Sequence, residues 1–189
     1  MTGPHRIFCV VLFALGLSSC ATSLRSIAAN YVMGTHEESV VIGRVVIDLS
    51  GGSIQPIGFF DRLSTIGVQI ENSTRGESYW IVCDQSGSDS NFFVALPPGQ
   101  YSVKKVKKGD MESTPSGRFT VGKSQVFYIG TLKFVGRGLG AAIGASILGG
   151  RTTFPGDWLV EDEYFVVEKS FREKYPHLSQ EVVRSLIAQ

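Results

Sequence analysis

Few residues in this chain are of the kinds that do chemistry, and their spacing decides what each could do. Gly117-Arg118-Phe119-Thr120-Val121-Gly122-Lys123-Ser124 satisfies the phosphate-loop pattern G-x-x-x-x-G-K-[ST] in full. That chemistry needs a buried strand before the glycines and a helix after the serine, so that backbone N–H groups converge on phosphate. Here a polar, proline-containing stretch, Met111 to Ser116, precedes the string, and Gln125-Val126-Phe127-Tyr128-Ile129, rich in β-formers, follows it. The expectation is strand, Gly-Lys-Ser turn and strand, with no nucleotide bound. Gly136-Arg137-Gly138-Leu139-Gly140 imitates a dinucleotide fingerprint in the same way. Asp157 stands at about the distance of a ribose-binding acid, but Phe154-Pro155-Gly156 before it is no strand and no βαβ unit surrounds it.

Metal and nucleophile chemistry find little to use. His36 and His177 lie far apart in sequence and outside any ligand cluster. Cys83 follows Tyr79-Trp80-Ile81-Val82, an apolar setting that suits a small buried hydrophobe better than a reactive thiol. No G-x-S-x-G elbow occurs. A hydrolase of envelope polymers would have to draw on Asp48, Asp61, Asp84 and the run Glu161-Asp162-Glu163, which no local pattern brings together. The acidic run also reads as a solvated strand end or a helix N-terminal cap. Lys104, Lys105, Lys107 and Lys108 form a basic cluster whose plain role is to discourage strand addition at an edge. Contact with anionic lipid headgroups or lipopolysaccharide is the alternative. No enzymatic activity and no cofactor are expected.

The clearest signal is a processing signal. Arg6 precedes an unbroken apolar run from Ile7 to Leu17, and Ser18-Ser19-Cys20 follows. A basic start, a short apolar core and small residues before a cut are the secretory pattern, and the run is too short to span a bilayer. Leu17-Ser18-Ser19-Cys20 resembles the lipobox of bacterial lipoproteins. The resemblance implies cleavage of residues 1–19 and covalent lipid on Cys20, with Ala21 in the next position favouring the periplasmic face of the outer membrane. Several acyl chains on one residue would anchor the chain stably, where one alone is marginal. Residues 20–38 then read as the lipidated N-terminus and a tether, since they mix Ala, Ser, Thr and Asn with little periodicity.

The remainder predicts short strands: Val40–Leu49, Ile66–Glu71, Ser78–Cys83, Asn91–Leu96, Tyr101–Val106, Arg118–Val121 and Gln125–Val135, with turn signals between them. Tyr101 and Val103 alternate with Ser102 and Lys104, so one face is buried and the other wet. The fold class expected is mainly β, an antiparallel two-sheet sandwich over residues 39–167. Phe93-Val94-Ala95-Leu96-Pro97-Pro98-Gly99-Gln100-Tyr101-Ser102-Val103, followed by Gly117–Val121 and Phe127–Leu132, resembles the carboxypeptidase-regulatory-like modules. That resemblance implies a transthyretin-like or Ig-like sandwich and no particular chemistry.

Residues 136–156 form a Gly-rich loop with Gly136, Gly140 and Gly144 at four-residue spacing. Its apolar side chains Leu139, Ile143, Ile147 and Leu148 are the candidates for membrane or partner contact, on too short a stretch to span. Asp157–Glu163 could add a last strand. Residues 168–189 are expected as a helical tail: Phe165, Glu168, Lys169 and Arg172 have helical spacing, and Tyr175-Pro176 breaks it. Ser179 would cap a second amphipathic segment carrying Val182, Val183, Leu186 and Ile187.

Composition agrees with one globular domain. The 189 residues are 43% hydrophobic and 19% charged, with net charge +1, which excludes a disordered chain and a nucleic-acid-binding basic field. Removal of 19 leader residues takes away one Arg, so 17 basic residues would face 17 acidic ones. The expected protein is a lipid-anchored envelope lipoprotein, a binding or structural accessory module with a protein partner in the envelope.

Overall fold

A computed structural model describes residues 21–34, 37–48, 65–86, 89–109, 111–136 and 156–189. The chain runs β1 (Thr22–Leu24), β2 (Ser39–Asp48), β3 (Ile66–Asn72), β4 (Glu77–Val82), β5 (Asp84–Ser86), β6 (Asp89–Leu96), β7 (Gly99–Lys108), β8 (Met111–Ser113), β9 (Gly117–Val121), β10 (Val126–Gly136), β11 (Gly156–Glu161), α1 (Tyr164–Lys174) and β12 (Val182–Arg184). Sheet A has the order β1-β4-β3-β7-β8, with β9 also on β7. Sheet B has the order β11-β10-β2-β6-β5, with β12 also on β10. The two sheets enclose one core, which includes Val41, Val45, Ile70, Ile81, Tyr101, Phe119 and Ile129.

The protein is mainly β, but its sheets are mixed and not antiparallel throughout. β2 runs parallel to β10 from Val40 beside Val126 to Asp48 beside Val135. β12 is parallel to β10, and β1 to β4. The reason lies in β2, whose first five residues are all buried. Val41 and Val45 point between the sheets, whereas Val40 and Ile42 point outward beneath α1, against Phe171, Tyr175 and Leu178. A strand buried on both faces reads as a continuous apolar run, and parallel pairs occur in such covered sheets. The molecule therefore has three layers: sheet A, sheet B and a helical cover over half of sheet B.

The Leu96–Tyr101 segment turns the chain from sheet B to sheet A. Tyr101 Oη donates to the Pro97 carbonyl at 2.6 Å, and Gly99 lies so close to Asn72 that a Cβ would sit 2.6 Å from its Nδ2. Asn72 Oδ1 in turn accepts from Thr74 N and Arg75 N, closing the β3–β4 turn. The motif is thus a pair of interlocked turns. In β10 the register shifts between Tyr128 and Thr131, where Gly130 has φ +105°, so Ile129 and Leu132 both reach the core.

Two expectations about the chain ends are corrected. Within the stretch 20–38 expected as a tether, residues 22–27 are not free. β1 pairs with β4, Ile27 N donates to the Phe93 carbonyl at 2.8 Å, and Tyr175 Oη donates to the Ile27 carbonyl at 2.7 Å. Its irregular sequence follows from serving two cores in turn, Leu24 on the inner one and Ile27 on the outer. The helical tail begins early, at Tyr164, and its second half is strand. β12 pairs with Val126–Tyr128, and Ile187 N then reaches the Ile129 carbonyl. Val182 and Ile187 are buried in different clusters, so their five-residue separation serves the two cores and not a helix face. Ala188 completes the closure by exchanging both backbone hydrogen bonds with Arg118 on β9.

Phe171 is fully buried between α1 and sheet B, 5.7 Å from the Phe93 ring and 5.5 Å from Tyr175. Phe171→Ala should cost about 3–5 kcal/mol, the range for a large aromatic truncated in a packed core. Urea denaturation followed by near-UV circular dichroism measures it.

Candidate functional site

Chemically competent residues gather where α1 stops covering sheet B. The strand registers place Asp84, Asn91, Arg44, Thr131 and Glu161 in one transverse row, each beside the next. Arg44 is the single charged residue among the first nine of β2. Its Nη1 lies 3.1 Å from Glu163 Oε2, which also accepts from Thr131 Oγ1 at 3.0 Å. Tyr128 Oη donates to the Glu161 carbonyl and accepts from Glu163 N at 2.7 Å, which holds the turn into α1. Thr131 is fully buried, and Asn91 Oδ1 is buried with no hydrogen-bond partner among the described residues.

The acidic run is neutralised residue by residue. Lys133 pairs with Glu161 at 3.0 Å, Arg184 with Asp162 at 3.3 Å and Arg44 with Glu163. The Arg184 guanidinium also lies 4.0 Å from the Tyr164 ring centroid. Asp84, at the other end of the row, accepts from Ser26 Oγ at 2.6 Å and pairs with Lys174 at the end of α1. That pair, with the Tyr175 hydroxyl on Ile27, clamps the N-terminal segment to the helix. Asp84 and Glu161 stand four strand spacings apart, about 19 Å. Paired carboxylates of glycoside hydrolysis work at about 5–9.5 Å. The row is suited to locking sheet, helix and N-terminus together.

The other sequence candidates separate. Gly117–Ser124 is strand and turn between the sheets, and Lys123 pairs with Glu37 at 3.0 Å. Ser39 Oγ donates to the Gly122 carbonyl and accepts from Gln125 N, so the turn is tied down internally. Cys83 is buried at the crossing from β4 to β5, and burial, followed by the Asp84 charge, pushes its thiol pKa well up. His177 Nε2 lies 2.9 Å from the Tyr31 carbonyl oxygen. Asp48 ends β2. No group of three metal-ligating side chains occurs among the described residues. Cys20, His36, Asp61, Leu139, Ile143, Ile147 and Leu148 lie outside the described residues. The strands flanking the Gly-rich segment finish side by side at Gly136 and Gly156.

Sheet A presents a second surface. Its outer face carries no helix among the described residues and bears an open groove of about 630 Å³, lined by Gln100, Ser102, Lys104, Arg118, Thr120 and Leu186. Trp80 lies over Gly67 on this face, where a Cβ would collide with the indole. Sequence reasoning missed Arg44, Asn91, Thr131, Lys174 and Ser26. Only Arg44, a cation inside an apolar strand, left a signal.

Two outcomes follow. Arg44→Ala leaves Glu163 without its cation and should cost about 1–3 kcal/mol; amide exchange at Glu163 and Tyr164 should accelerate more than exchange in β3. The pKa values of Tyr79, Tyr101, Tyr128 and Tyr175 are raised above 10.0, chiefly by burial. Unfolded phenols ionise near 10 while the folded ones stay neutral, so the unfolded chain binds fewer protons above that pH. The phenols' stabilisation is complete below about pH 10 and is lost as pH rises toward the folded values. Melting temperatures from about pH 8 to pH 11 should be level at first and then fall.

No protein-family model matches the chain, and no curated protein matches it. Among solved structures, 52% of the chain is similar to 14% of a leucine-rich repeat protein from Bacteroides thetaiotaomicron, at 16% identity and TM-score 0.36. The chain thus spans a small part of that protein, and a likeness so slight carries no argument about fold or function.

Proposed function

We propose that this chain is a bacterial envelope lipoprotein, held by lipid on Cys20, whose domain acts as a non-enzymatic binding or structural accessory module. The observation that carries the reading is the join between the lipobox and the fold. Cys20 follows Leu17-Ser18-Ser19, and Thr22, two residues later, already pairs with Tyr79 on sheet A. Cleavage before Cys20 would remove none of the described strands and would put the lipidated residue next to the first of them. The ion-paired carboxylates favour an accessory role over the polymer hydrolase, since each is engaged in holding an element in place. The transthyretin-like resemblance contributes only to the fold side of this reading. The periplasmic face of the outer membrane is its proposed location, through Ala21.

Metabolic labelling with palmitate is the direct test. The wild type should carry label and sediment with membranes, whereas Cys20→Ser should lose the label and leave the lipid-anchored fraction. Label retained by Cys20→Ser would sink the reading.

A further inference from the structure

We propose that the outer face of sheet A lies flat on an anionic phospholipid surface; this rests on the anchoring reading above. Three observations converge on that face. The first is reach. Only Ala21 separates Cys20 from Thr22, so the lipid attachment lies at most about 7 Å from β1, the edge strand of sheet A. A domain attached so closely cannot stand off from the bilayer, and one of its surfaces must face it. β1 belongs to sheet A alone, so that sheet is the nearest broad surface.

The second is cover. The outer face of sheet B packs against α1 through Val167 and Phe171 and is crossed by the ion-paired row. Sheet A has no such layer among the described residues, and it presents the half-buried Trp80 beside Ser23, its register partner on β1. Indole rings favour the water–lipid interface, where one end is apolar and the other polar.

The third is charge. Opposite Gln69 and Ile70 of β3, β7 carries one extra residue, Lys104, so Val103 and Val106 both turn inward. Lys104 and Lys105 are thereby turned outward, and Lys107 follows them by alternation. Arg118 projects from the same face, since its neighbours Phe119 and Val121 fill the core. Lys104 pairs with Glu71 at 3.4 Å and Lys105 with Glu112 at 2.6 Å. Lys107 and Arg118 make no ion pair among the described residues, so the face retains an excess of positive charge. Basic residues near an anionic leaflet are drawn to it within a Debye length. The groove between β9 and the C-terminal segment places Lys104 and Arg118 at its walls, as polar headgroups would require.

The full-length lipidated protein, reconstituted in vesicles of phosphatidylethanolamine and phosphatidylglycerol, tests the orientation. A bimane label is introduced through Thr120→Cys on the sheet A face or Lys169→Cys on the exposed side of α1, and a headgroup spin-labelled lipid serves as quencher. Cys83 is buried and does not compete for the label. Quenching at position 120 should exceed that at position 169 several-fold. Lys107→Glu with Arg118→Glu should abolish the difference, and Lys107→Arg with Arg118→Lys should preserve it. Vesicles of phosphatidylcholine alone provide an arm without substitution, in which the wild type should also lose the difference. Equal quenching at the two positions on anionic vesicles, or more at 169, overturns the face assignment. Flotation of the same samples reports the anchor separately: protein that does not float overturns the anchoring reading, whereas protein that floats with equal quenching overturns the face alone.

Discussion

The parallel pairing of β2 with β10 is the constraint on which the rest of the structure depends. These two strands form the middle of sheet B, and both faces of their first halves are apolar. An exposed second face would leave Val40, Ile42, Val126 and Tyr128 in water, at about 1.5–3 kcal/mol for each large side chain. A cover is therefore obligatory, and α1 with Tyr175, Leu178 and Val182 provides it. The cover has to start somewhere, and it starts at Glu163. That is why the Arg44, Thr131 and Tyr128 contacts converge on that residue.

The chain ends complete the architecture by sewing the two sheets together. On one side β1 pairs with sheet A and Ile27 with sheet B; on the other β12 pairs with sheet B and Ala188 with sheet A. Each seam is made of short segments, three residues in β1 and three in β12. Short edge strands leave little template for another chain to extend.

Much of the fold was legible in the residues. The seven strands expected from β-branched runs and turn signals all exist, because each carries its period or its punctuation locally. Gly156–Glu161 likewise supplies the last strand expected near residue 157. The parallel pairing was not legible, since strand direction depends on which distant strand is met and no local pattern records that. β1, β5, β8 and β12 are three residues each, shorter than any period can reveal. The tail misled for a related reason. Val182, Val183, Leu186 and Ile187 imitate a helical face, but Val182 packs with Tyr175 while Ile187 packs between the sheets. The site was less legible still. Glu161, Asp162 and Glu163 announced charge, but their partners Lys133, Arg184 and Arg44 come from three separate strands.

The same layering gives the protein two unlike sides. Sheet B spends its outer surface on the helix and on a row whose charges cancel in pairs. Among the described residues, sheet A carries no helix on its outer surface, and Lys107 and Arg118 lie outside any ion pair there. A net charge of +1 over the whole chain conceals this division, because Glu161, Asp162 and Glu163 beside α1 are each held in an ion pair. The asymmetry is a consequence of burial before it is a feature of function. A helix can cover only the sheet whose second face is apolar, so the charged face is left to the other. β1, which continues directly from Cys20, joins that other sheet.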